Sequence, residues 1–240
     1  MLWMKKKKIV VDAFIDNDII AKYPITQSSA NPPPWYKKLK STIEINDQGH
    51  ELQIPTFKRC DGMLDLLKYS FTLPMWADLS LVVEEDGRFH WKYPSQPYNF
   101  GLEQHPEFLM ESAFNPLVHA KIMSPWLLGE KTGINFYQTQ AVYSFNKSTD
   151  VLIPPGVVNY KYQNSTHING FFARGKTYFF KAGQPMMYLI PMTEDKVEIK
   201  THVISTEEYN RKLKLSAGNK FLGSYKSLKS TGGCPITGRS

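Results

Sequence analysis

Cysteine is scarce in this 240-residue sequence: there are two, Cys60 and Cys234, in no metal-ligand spacing. A pair this far apart is not a disulfide framework, which excludes a disulfide-stapled secreted scaffold and fits a reducing compartment. Equally missing is an apolar run of about eighteen residues, the length a membrane-spanning helix needs. The start places Lys5–Lys8 after only four residues, with no small-residue cleavage site behind them, so neither export nor membrane insertion is expected. His90 and His105 have no third ligand at metal spacing, and no metal site is read from them. Acidic residues are lacking at one end. From Tyr209 to Ser240 there is none, while Arg211, Lys212, Lys214, Lys220, Lys226, Lys229 and Arg239 supply the equivalent of the whole formal charge of +7. Such a basic tail either clamps phosphates or acidic surfaces, or is simply solvated.

What is present is β punctuation. With 42% hydrophobic residues the chain can bury a full core, and all-β chains of this size often form one domain. Ile9–Phe14 and Ile19–Tyr23 read as strands of a hairpin around Asp16-Asn17-Asp18. Gln27 to Pro34 ends in three prolines and reads as an extended surface strap anchored by Trp35 and Tyr36. Alternation from Leu52 to Tyr93 breaks at Pro74 and at Asp86-Gly87, the latter a strong hairpin turn between Leu79–Val83 and Arg88–Trp91. Strands separated by Ser124-Pro125, Gly129–Gly133 and Asn146–Asp150 follow, then Val157, Phe171-Phe172, Tyr178–Phe180 and Met186–Ile190. Spacing near ten residues predicts an all-β fold, an antiparallel barrel or jelly roll. Ser205-Thr206-Glu207-Glu208 is a capping box that opens a short basic helix, Tyr209–Leu215, before a Gly/Ser-rich mobile arm. The expected organisation is an N-terminal hairpin and strap (1–36), a β domain (37–204), and a helix with a basic tail (205–240).

Two segments carry a resemblance. Gly156-Val157-Val158-Asn159-Tyr160-Lys161-Tyr162 resembles the Gly-Val-Ile-Asp-x-x-Tyr nucleoside motif of the trimeric deoxyuridine triphosphatases (dUTPases). Ala182-Gly183-Gln184-Pro185-Met186-Met187-Tyr188-Leu189-Ile190 is similar to the family's Pro-Gly-Asp-Arg-Ile-Ala-Gln-Leu-Ile phosphate-side motif. The 27 residues between Gly156 and Gly183 match the family's spacing. Weaker matches are Asp61-Gly62-Met63-Leu64-Asp65-Leu66, against Ala-Gly-x-Asp-Leu with one residue extra, and Gly232-Gly233-Cys234-Pro235-Ile236-Thr237-Gly238, against the Gly-rich arm that closes over the triphosphate. The resemblance implies a dUTPase-like (β-clip) barrel, a homotrimer, and ligand contacts at Gly156, Asn159, Tyr162, Gly183, Gly232, Gly233, Thr237 and Gly238. It also implies Mg²⁺ where a nucleotide is bound, with Asp65 ordering metal-bound water. A hairpin turning at Gly170 is expected to set Gly156 and Gly183 side by side at the ends of adjacent strands.

Departures bear on the chemistry. The family's general-base Asp is here Asn159, which cannot take a proton near neutral pH, a loss of about 10²–10⁴-fold. Tyr143-Ser144-Phe145 stands near the family's Pro-Arg-Ser-Gly, with tyrosine in place of the phosphate-binding arginine. Gln184-Pro185 replaces Asp-Arg. The chain also resembles uncharacterised proteins of large tailed phages, through Pro34–Lys37, Lys58–Gly62, Ser124–Trp126 and Ile153–Val157 in that order. Three functions follow as expectations. The first is a phage accessory or virion-associated protein on a dUTPase-like scaffold, without intact hydrolysis and with nucleotide binding retained, located in the host cytoplasm or the virion. The second is an active Mg²⁺-dependent deoxynucleoside triphosphate diphosphatase, and the third a nucleic-acid-binding β barrel.

Overall fold

A computed structural model describes residues 7–47, 50–94, 101–103, 114, 116–145 and 151–222. Strands are β1 (Lys8–Ile15), β2 (Thr26–Gln27), β3 (Thr42–Asp47), β4 (His50–Pro55), β5 (Phe71–Pro74), β6 (Leu79–Val83), β7 (Phe89–Lys92), β8 (Leu102–Glu103), β9 (Val118–Glu130), β10 (Phe136–Gln140), β11 (Val151–Leu152), β12 (Gly156–Val158), β13 (Ser165–Phe172), β14 (Lys176–Phe180), β15 (Pro185–Pro191) and β16 (Lys196–Val203). Helices are α1 (Pro34–Lys38), α2 (Asp61–Tyr69) and α3 (Thr206–Leu222). Strand accounts for 48% and helix for 19%, so the fold is mostly β, as the alternation predicts.

Four sheets form. The largest runs β11-β13-β9-β1-β16, with β8 also on β9; the second runs β12-β10-β15-β5-β2; the third is β14-β6-β7; β3 and β4 form a separate hairpin. No closed barrel is found among the described strands, which narrows the expectation to open sheets packed on one another. Nor is pairing wholly antiparallel, because β1 runs parallel to β16. The first three sheets share one core. Val11, Ala13 and Ile15 of β1, Ala120 and Ile122 of β9, Leu73 of β5, Phe136 of β10, Leu189 of β15 and Leu79 and Leu81 of β6 all belong to it. In β1 alternate residues are buried, the period-2 pattern that makes Lys8–Ile15 a half-covered strand. Residues 8–27 thus lie inside the body, with β1 between β9 and β16.

Several expectations are corrected. Ile20–Lys22 is a 3-10 turn, not a second strand, because the Asn17 Oδ1 accepts from the N–H groups of Ile19 and Ile20 and curls the backbone. Helix is not confined to the C-terminal end: Asp61–Tyr69 is helical, with Met63 and Leu67 on its buried face. Ser124-Pro125 does not end a strand. β9 continues through it at a bulge, where the β13 register steps from His167↔Met123 to Ser165↔Leu127 and leaves room for a residue without an N–H. Gly170 lies inside β13, where an added Cβ would meet the Phe172 ring at 2.5 Å. The chain turns instead at Gly175, with φ +68°.

The hairpin across Asp86-Gly87 forms with Val83 opposite Phe89, and Gly87 has φ +88°. At the capping box, the Ser205 Oγ accepts from the Glu208 N–H at 3.2 Å. The helix it opens extends through Leu222, well past the expected Leu215. It docks on the body through Tyr209, whose hydroxyl donates to the Pro125 carbonyl at 2.6 Å, and through Lys212, whose ammonium lies 4.0 Å from the Phe14 ring centroid.

Candidate functional site: an aromatic cleft, and a closed turn at Asn159

Asn159 is fully buried, and both ends of its amide are occupied. Nδ2 donates to the Gly133 carbonyl at 2.7 Å and to Asn135 Oδ1 at 3.0 Å, and Oδ1 accepts from the Lys161 N–H at 3.1 Å. Glu130, also buried, completes the same turn, its carboxylate accepting from the Thr132 N–H, the Thr132 hydroxyl and the Gly133 N–H. Asn159 therefore fastens the 130–135 turn to the 159–163 turn. Both donors are needed, since they face two oxygens. Tyr162 follows in that turn, half-buried, with the Lys161 ammonium 5.5 Å from its ring centroid. Behind it, Tyr160 is fully buried, bonded to Thr166 and Gln138, and burial pushes its phenol above the usual tyrosine range.

The other predicted residues do not gather at this turn. Gly156 lies exposed in β12, paired with Gln138 of β10. Gly183, with φ +81°, turns the chain before β15 and donates its N–H to the Met75 carbonyl at 2.7 Å. β10 stands between their strands, and Gln138 opposes Leu189, six residues beyond Gly183. Gly183 lies in the turn ahead of β15 and Gly156 in β12, two strands that are not neighbours, so the two glycines do not sit at the ends of adjacent strands as expected. Asp65 is exposed on α2, an element that packs around Tyr36, Met63 and Leu67 rather than the Asn159 turn. Asp65 and Asn159 thus provide no common place for Mg²⁺, and no step is derived through it. Gly232, Gly233, Thr237 and Gly238 lie outside the described residues, as does His105.

Three segments distant in the sequence, at Pro34-Trp35, Tyr143–Phe145 and Gln184-Pro185, converge in a cleft of about 570 Å³. One wall is the strap: Pro34 is the first residue of α1, where its missing N–H is harmless, and Trp35 points into the cleft while Tyr36 turns into a small satellite core. The Trp35 indole donates to the Tyr143 carbonyl at 2.8 Å. Its ring lies 6.0 Å from Phe57 and 6.2 Å from Tyr143, and Phe57 lies 5.9 Å from Tyr143. The second wall is Tyr143-Ser144-Phe145, placed by the 3-10 turn Val142–Ser144. The third is Gln184-Pro185 with Thr177–Lys181 of β14 and the residue after it. β14 pairs with β6 alone among the described strands and so borders the cleft with an open edge.

The floor of that wall is rigid. Gln184 N–H donates to the Lys181 carbonyl, Gln184 carbonyl accepts from Met75, and Asp78 Oδ1 accepts from the Ala182 N–H at 2.9 Å. Trp35 and Phe179 remain 38% and 48% exposed, and Lys181 is the one charged residue of the lining among the described residues, its ammonium 4.5 Å from the Phe179 ring centroid. Flat aromatic faces beside a single cation can stack a planar ring and meet a negative group. Phe179 and Lys181 were not singled out from sequence. The signal available was an exposed-side phenylalanine in the alternating Lys-Thr-Tyr-Phe-Phe-Lys stretch. When compared with models of known protein families and with curated proteins, the chain matches none of them.

Proposed function

We propose that this chain is a non-hydrolytic binding protein whose ligand is a nucleotide, the base stacking on the open rings of the Trp35 cleft and the phosphates meeting Lys181. The observation that carries this reading is the contrast in polar groups: the Asn159 amide is spent on Gly133, Asn135 and Lys161, whereas the cleft keeps aromatic faces and a cation in reach of solvent. Base–aromatic stacking contributes about 1–3 kcal/mol per base, which with a phosphate contact of about 0.5–1 kcal/mol reaches at best a site of about millimolar affinity. Service as an accessory or virion-associated protein of a tailed phage is part of the same proposal and rests on the four segments named above.

Two assays test it. Deoxynucleoside triphosphates titrated calorimetrically into the full chain should bind the wild type and bind Trp35→Ala about tenfold or more weakly. Incubation of the same triphosphates with Mg²⁺ should release no pyrophosphate above a heat-killed control. Turnover would favour the diphosphatase reading instead, and absence of any binding would end the nucleotide reading.

A further inference from the structure

Two basic segments meet beside the Trp35 cleft. One is α1 and the residues after it, with Lys37, Lys38 and Lys40; the other is the 3-10 turn Phe57–Arg59, with Lys58 and Arg59. The buried Tyr36 ties them together, its hydroxyl donating to the Lys58 carbonyl at 3.1 Å, and the Lys58 ammonium donates to the Lys37 carbonyl at 3.4 Å. The exposed Phe57 ring is thereby set 6.0 Å from Trp35, and Lys38, three residues on from Trp35 in α1, shares its side of the helix. Among the described residues none of these five cations has an ion-pair partner, and Lys37 donates to the neutral Asn31 Oδ1 at 3.1 Å. The intervening β3–β4 hairpin carries Glu44, Asp47 and Glu51. Glu51 opposes Asn46 and Asp47 opposes His50, at least four residues and so about 13 Å beyond the base of the hairpin at Thr42, further than the roughly 8 Å screening length at physiological salt. Glu44 and Asp61 stand closer along the chain, two acids against five cations.

The geometry points to single-stranded nucleic acid as the ligand of this surface: bases stack on Phe57 and Trp35 and pass into the cleft toward Phe179, while the phosphates follow Lys37, Lys38, Lys58 and Arg59 and end at Lys181. This rests on the base-stacking reading of the cleft and names a polymer in place of the free nucleotide. One stack with one phosphate contact reaches only about millimolar affinity, and a free triphosphate crowds all its charge beside Lys181. A strand spaces its charge, one per nucleotide, so it engages separate cations at once, releases counterions at each, and gains a stack at every ring it crosses. A duplex keeps its bases inside the stack, out of reach of the rings.

Fluorescence anisotropy on the full chain tests it, with labelled oligothymidylate and oligouridylate of about twelve nucleotides and a duplex of equal length across a salt series, beside calorimetry with thymidine monophosphate. Either single strand should bind at least about a hundredfold tighter than the monophosphate and tighter than the duplex, and the preference between the two strands tells DNA from RNA. Lys38→Gln with Lys58→Gln and Arg59→Gln should leave the melting temperature and the monophosphate affinity in place, and should lower the slope of log affinity against log salt by about 2, at roughly 0.7 per lost phosphate contact. Phe57→Ala should weaken the single strand about tenfold or more, whereas Phe57→Tyr, which keeps the ring, should bind like the wild type, so that loss of stacking is told apart from loss of fold. A monophosphate that binds while the single strand gains nothing over it overturns the inference and leaves the nucleotide reading standing; binding of neither ends both. Single-strand affinity that the charge and ring variants leave unchanged, or a duplex that binds as tightly, also overturns the inference.

Discussion

The turn around Asn159 and the cleft around Trp35 are both built from residues of the kind that hold ligands, and they differ in what is left over once the chain has folded. At the turn every polar atom of the Asn159 side chain has a partner within the protein, and the neighbouring Glu130 carboxylate accepts from Thr132 and Gly133. At the cleft the one indole N–H is used to hold Trp35 in place, while Trp35 and Phe179 stay partly exposed, with the Lys181 ammonium over one face of Phe179. Residue type at a motif position therefore says little about chemistry until the internal hydrogen bonds are counted.

The sharpest way to break this contrast is Asn159→Asp. If the position were a decayed base, a carboxylate there would help catalysis. In this fold it removes two donors and sets a buried charge against the Gly133 and Asn135 oxygens, so it should cost about 3 kcal/mol of stability in urea unfolding, with no gain in pyrophosphate release. An unchanged midpoint would mean that the turn is not fastened as described.

Next in size is the alkaline limb of stability. Burial pushes the phenols of Tyr93, Tyr160, Tyr188 and Tyr209 above the usual range. The folded state thus favours the protonated form more than the unfolded state does, and this contribution is fully present below about pH 10 and lost as pH rises through the folded values. Unfolding free energy should fall above about pH 10, and absorbance at alkaline pH should show the buried phenols ionising only as the protein unfolds.

Smaller effects separate body from cleft. Tyr209→Phe strands the Pro125 carbonyl under α3 and should lower stability by about 1 kcal/mol, read from the denaturation midpoint. Lys181→Met, at an exposed position, should leave the midpoint in place and weaken nucleotide binding by only about 0.5–1 kcal/mol, measured calorimetrically.

Some of this was legible in the sequence because its causes are local. Asp86-Gly87 fixes a two-strand turn by backbone preference alone, and Ser205 with Glu208 writes a helix start in four residues. The α2 helix was missed although Met63 and Leu67 stand four apart among the helix formers Leu64, Leu66 and Lys68, because the apolar-polar alternation from Leu52 to Tyr93 carries the segment along with its strands. Pairing of β1 with β16 joins residues nearly the whole chain apart, from Lys8↔Lys196 to Ile15↔Val203, and no local pattern encodes that. The cleft was half legible. Its proline-tryptophan strap and the Tyr143 and Gln184 segments each stood out, but their convergence depends on the long-range sheet order.

The contrast itself can be read in one titration, following side-chain amide and indole N–H signals by nuclear magnetic resonance as deoxyuridine triphosphate and Mg²⁺ are added. The account predicts that the Trp35 indole signal shifts with nucleotide while the Asn159 amide pair stays fixed and protected from solvent exchange. A moving Asn159 pair beside an unmoved Trp35 would contradict it, and so would a spectrum in which neither signal responds.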